Sequence, residues 1–142
     1  MSVAQNLAYS AVQAVHNFGA VATVGGSIAA MLAAPEARRK FAWLALAGWT
    51  TQAVSGPALG LVSYYFDHRF PDIAGIAIAA LTIKIICVAL GFTLVAAYLC
   101  PCERYLPSCA YCLERFRRLV WPTSTTLAVT ALTAAAFLRW FA

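Results

Sequence analysis

Acidic side chains are scarce in this chain: Asp and Glu together number five among 142 residues, at Glu36, Asp67, Asp72, Glu103 and Glu114. Charged residues of both signs make up only 11%, against roughly 25% in soluble domains. So little charge excludes most soluble enzyme folds. The absence of a Gly-rich phosphate loop, a Ser/His/Asp set and a pair of buried carboxylates removes the usual apparatus of phosphoryl, acyl and glycosyl transfer. An enzyme acting on its own is therefore not the expectation. Methionine is also rare, with two residues, Met1 and Met31, which deprives a Cu(I) conduit of its soft thioether ligands. Histidine is limited to His16 and His68.

What is abundant is apolar: 63% of the chain. At about 20 residues per crossing, the length accommodates about four or five membrane helices. Four runs are found, at residues 7–34, 41–66, 73–99 and 123–142. They are separated by Pro35-Glu36-Ala37-Arg38-Arg39-Lys40, by Asp67-His68-Arg69-Phe70-Pro71-Asp72, and by a Cys/Arg-rich loop over residues 100–122. The first run is too long for a signal peptide and has no preceding Lys or Arg, so it is expected to stay in the mature chain. The sequence thus predicts a single all-α domain, an integral membrane four-helix bundle. Neither a solenoid-length repeat nor β-barrel alternation is present.

The loop charges orient this bundle. Arg38, Arg39 and Lys40 in the first loop, and Arg104, Arg115, Arg117 and Arg118 in the third, fall on one side of the bilayer, whereas Arg69 and Arg139 lie on the other. The positive-inside rule makes the first side cytoplasmic and puts both termini and His68 outside. The net charge of +5 then reads as topology and attraction to anionic lipid, not as nucleic-acid binding. Within the third loop, residues 114–121 predict a short interfacial helix whose arginines meet lipid phosphate. The expected location is a bacterial or organellar inner membrane, with other membrane subunits or further copies of the chain as partners.

In so apolar a chain each polar residue within a span is informative, and Lys84 in the third run is the costliest. No acid lies within any span; Asp72 is about 18 Å away along the helix, beyond a lysine's reach. The candidate solutions are a cofactor propionate, a lipid phosphate, a quinone carbonyl, an acid on a neighbouring subunit, deprotonation of the amine itself, or a simple packing bond to Gln52, Ser55 or a backbone carbonyl. His16 lies at nearly the same depth, within about 3 Å at 1.5 Å per residue, so the two can share a site. Below His16, Gly19, Thr23, Gly26, Ser27 and Ala30 form a face with little bulk, matched by Gly48, Gln52, Gly56 and Gly60 in the second run. Such faces either pack helices closely or leave room for a flat ring. His68 reads as a solvated loop histidine or as an additional ligand.

Cys100, Cys102, Cys109 and Cys112 could surround one zinc ion or iron–sulfur cluster, or remain unliganded thiols at the interface. Cys87, one turn from Lys84, reads as a small buried hydrophobe.

His16-Asn17-Phe18-Gly19 with Gly25-Gly26, Ser55-Gly56, and Leu81-Thr82-Ile83-Lys84 together resemble the pattern of CopD-like membrane proteins, a superfamily of copper-resistance and small haem-binding proteins. The resemblance spans the first three runs and implies haem or copper at the histidine and lysine. The four-cysteine loop and the shortage of methionine depart from that pattern, and weigh more against copper than against haem. The leading expectation is a cofactor site near the outer leaflet, for b-type haem or a quinone, in electron transfer or metal handling. His16 would be the axial ligand, with Lys84, Gln52, Gly19, Gly56 and His68 around the cofactor. A non-catalytic subunit of a larger membrane complex, and a copper transporter running from His16 and His68 to the cysteines, are the alternatives.

Overall fold

The computed structural model describes residues 2–70, 73–100 and 110–141, with side chains undescribed at 110–114, 139 and 141. Four helices account for nearly all of it: α1 (Val3–Leu32), α2 (Pro35–Asp67), α3 (Ile76–Leu99) and α4 (Ala110–Phe141). No strand occurs among the described residues. Three helices contain segments long and apolar enough to cross a membrane: Val3–Leu32, Ile76–Leu99 and Arg115–Leu138. α2 falls short of that hydropathy because it turns Gln52, Ser55 and Ser63 into the bundle, yet it presents Trp43, Leu44, Val54, Leu61 and Tyr65 outward.

Local chemistry sets the boundaries. Ser2 caps α1 by accepting the Gln5 N–H at 3.2 Å. Ala33 and Ala34 are extended, as Ala34 must be ahead of Pro35, which opens α2 at its first turn. The Arg38 guanidinium reaches back to the carbonyls of Ala30 and Ala33, both at 3.2 Å, and so satisfies the end of α1. The cationic turn that separates the first two runs in the sequence is thus the helical start of α2. That helix stops at His68, whose φ of 53° is left-handed, and Gly75, with φ of 54°, precedes α3.

α1 packs most extensively on α2, and α3 on α4; α1–α4 and α2–α3 contacts close the ring. Glycines set the approach of α1 to α2. A Cβ on Gly26 would lie 2.7 Å from the Ala45 nitrogen, and one on Gly48 equally inside the Thr23 backbone. The core occupies the end of the bundle nearer the α1–α2 turn, around Ala30, Ala42, Ala45, Trp49, Val95, Val120, Trp121 and Ala128. Ser124 joins three helices there, paired with Ser27 at 2.9 Å and accepting from Trp49 Nε1 at 3.4 Å.

The third loop corrects the sequence reading. Residues 114–121 do not form a separate interfacial helix; they belong to α4, which passes through Pro122 without a break. Val120 and Trp121 are buried, 0% and 2% exposed, and Trp121 packs edge-on against Tyr98 of α3 at 4.8 Å. That packing outweighs the one backbone bond to the Arg118 carbonyl that proline cannot make.

Candidate functional site

His16 and Ser55 face each other across the α1–α2 seam in the same antiparallel register that pairs Thr23 with Gly48 and Ala45 with Gly26. Ser55 Oγ donates to the Thr51 carbonyl at 2.5 Å. With its only proton committed, it accepts at 2.7 Å from His16 Nδ1, which therefore carries the ring N–H. Nε2 of the neutral imidazole is then the acceptor, and Lys84 Nζ, at 2.9 Å, is its donor. The result is a directed chain from Lys84 through His16 and Ser55 to the α2 backbone. Gln52 Nε2 adds a bond to the His16 carbonyl at 2.6 Å, holding the backbone that carries the ring.

The structure thus brings His16, Lys84, Gln52 and Ser55 together. Lys84 donates to His16 and, among the described residues, not to Gln52, Ser55 or a carbonyl. One N–H of its ammonium is used; the others have no partner among the described residues. No acid lies in this chain of contacts, so the described residues supply Lys84 with no counter-ion.

Gly19 serves the seam: a Cβ there would lie 2.7 Å from the Thr51 Cγ2 and 3.0 Å from Gln52 Nε2. With Gly26 and Gly48 equally close to the opposite helix, the α1–α2 interface has no room for a macrocycle. Gly56, in contrast, has nothing within 4 Å of its Cβ position. His68 is exposed at the end of α2, about 20 Å along the helix from Ser55, and takes no part in the site.

Two further pairs escaped the sequence reading. Tyr9 and Ser63 hydroxyls meet at 2.8 Å, and Gln5 donates to Asp67 at 3.0 Å, continuing the polar seam towards the C-terminal end of α2. The seven-residue spacing of Tyr9, His16 and Thr23 was the available signal.

The haem expectation meets an obstacle in this geometry. Both ring nitrogens of His16 are occupied, so iron at either would displace Lys84 or Ser55; the arrangement does not fit axial ligation. Of the cysteines, Cys102 and Cys109 lie outside the described residues, as does the Cys112 side chain. Cys100 is an exposed thiol and Cys87 a buried one. No group of three or more His, Cys, Asp or Glu residues suited to a metal is found among the described residues.

No family model, curated protein or solved structure matches the chain.

Proposed function

We propose that this protein is a small integral membrane protein that holds a lipophilic, carbonyl-bearing cofactor of the quinone class at Lys84, in an electron-transfer role. All four helices cross the bilayer in this reading, with both termini outside and the basic ends of α2 and α4 on the cytoplasmic side of a bacterial or organellar inner membrane. The cationic residues Arg38, Arg39, Lys40, Arg115, Arg117 and Arg118 at those two ends support the orientation.

One observation carries the functional reading. Lys84 is a half-buried amine in a span that contains no acid, held by His16 through one N–H and left with donors to spare. Intramembrane ionisable residues of this kind mark ligand or ion sites. A carbonyl oxygen fits those donors, whereas iron ligation would require His16 to give up a bond it already makes. When bound, a quinone would supply reversible two-electron, two-proton chemistry. The chain itself does three things: Lys84 donates to the carbonyl, His16 fixes the amine in position, and Ser55 with Gln52 fixes His16.

The test is an oxidised-minus-reduced ultraviolet spectrum of the purified protein, with organic extraction of bound lipids. A quinone signal that is retained by the native protein and lost in Lys84→Met supports the reading. A Soret band that vanishes in His16→Ala would favour haem instead. Co-purification with other chains that depends on Lys84, with no quinone signal, would favour an accessory subunit.

A further inference from the structure

Gln13 and Asn17 stand on the outside of α1. Both are exposed, turned away from the helix face on which His16 and Gly19 are buried. Gln13 Nε2 donates to Asn17 Oδ1 at 2.9 Å. Among the described residues neither side chain makes another bond, which leaves both Asn17 amide protons and the Gln13 carbonyl oxygen unpaired. Asn17 lies midway along the 30 residues of α1, the level at which a crossing helix meets the centre of the hydrocarbon. Amide groups turned towards acyl chains at that depth are costly unless another protein surface pairs them.

The surface around them is ordered for such a pairing. Val3, Leu7, Ser10, Ala14, Asn17 and Val21 follow one another at alternating steps of four and three, and all are exposed. A mean step of 3.5 residues is the seam of a left-handed pair of helices. Ser10 and Ala14 are small enough to let two backbones approach, and an asparagine within such a seam fixes its register. α1 contains no Lys, Arg, Asp or Glu, so no charge opposes its meeting an identical helix.

Resting on the membrane placement of α1 proposed above, and not on the quinone, we infer that this face is the interface with a second copy of the chain. The two copies of α1 pack in parallel about a two-fold axis along the bilayer normal, because both insert with the same orientation. Such an axis sets each seam residue against its own copy. Like charges would repel in that position, whereas an amide carries both a donor and an acceptor and pairs with itself. Asn17 of each copy gives an N–H to Asn17 Oδ1 of the other, and Gln13 holds that oxygen in place. The amides are thereby removed from lipid, while the His16–Lys84 bond stays inside its own bundle.

The test counts subunits by single-molecule photobleaching of the fluorescently tagged full-length protein in lipid vesicles, over a range of protein-to-lipid ratios. A monomer–dimer equilibrium is expected, weakened about three- to twentyfold in Asn17→Leu. Val15→Leu, at an exposed position off the seam, should dimerise like the native protein. A photo-reactive benzoyl-phenylalanine in place of Val21 should cross-link to α1 of a second copy, and one in place of Val15 should not. That measurement keeps Asn17 intact, so it does not depend on the folding of the leucine variant. A monomer at every ratio overturns the inference, as does an Asn17→Leu dimer as tight as the native one. Cross-linking from position 21 to a different protein in native membranes overturns it too. In each of these cases a chain that resists carbonate extraction keeps its membrane placement, whereas release by carbonate overturns that placement as well.

Discussion

Lys84 Nζ and His16 Nε2 lie 2.9 Å apart on α3 and α1, two helices that are diagonal and not adjacent in the ring. That hydrogen bond therefore crosses the bundle diagonal, joining the α1 histidine to the α3 lysine. Its contribution is measurable. Lys84→Met leaves His16 Nε2 without a donor, and unfolding in mixed micelles should become easier by about 1–3 kcal/mol. His16→Leu combined with Lys84→Met should recover part of that loss, giving a coupling energy of about 0.5–1.5 kcal/mol. Strictly additive values would mean that the bond is not formed.

The direction of the chain gives a spectroscopic prediction. Because Ser55 spends its proton on Thr51, His16 should show a protonated Nδ1 and an unprotonated Nε2 in its 15N spectrum. Ser55→Ala removes the acceptor of the Nδ1 proton at a stability cost of about 1 kcal/mol, while the tautomer should hold because Lys84 still donates to Nε2; Lys84→Met is the variant that should release it. A native spectrum with Nε2 protonated would contradict the assignment.

Glycines that look alike in the sequence should behave oppositely. Gly26→Val drives a branched side chain into the Ala45 backbone and is expected to cost about 3 kcal/mol or more. Gly25→Ala meets nothing within 4 Å and should leave stability unchanged or raise it by up to about 1 kcal/mol. Thermal unfolding of both variants in the same detergent checks the contrast.

At His68 the left-handed φ of 53°, not ligation, is the relevant property. His68→Gly should be neutral or stabilising by about 1 kcal/mol, and His68→Val destabilising by about 1–2 kcal/mol. Neither should alter benzoquinone affinity. A loss of affinity in His68→Gly would restore the histidine to the site.

Orientation can be read with reporters. Alkaline phosphatase fused after residue 142 should be active, and a green fluorescent protein at the same point dark, if α4 ends outside. The reverse pattern would invert the bundle.

Much of this architecture was legible because an apolar run of about 20 residues or more is long enough to form one helix of the bundle and the helix rises uniformly. Counting residues along the first and third runs was enough to set His16 and Lys84 at one level of the bundle. It could not show that they bond each other, because that depends on the rotation of α1 and α3 about their own axes. The Tyr9–Ser63 and Gln5–Asp67 pairs were hidden for a related reason: each is a relation between two helices, and periodicity within one helix does not encode its register with another. At α4, arginines and Pro122 imitate a loop; only the Tyr98 ring, distant in sequence, turns Trp121 into a buried residue and carries the helix through.

Ser124 is the point where α1, α2 and α4 meet, its hydroxyl oxygen shared by Ser27 and the Trp49 indole. Replacing that one hydroxyl would therefore loosen three helices at once, whereas the Tyr9–Ser63 and Gln5–Asp67 bonds at the opposite end tie only α1 to α2.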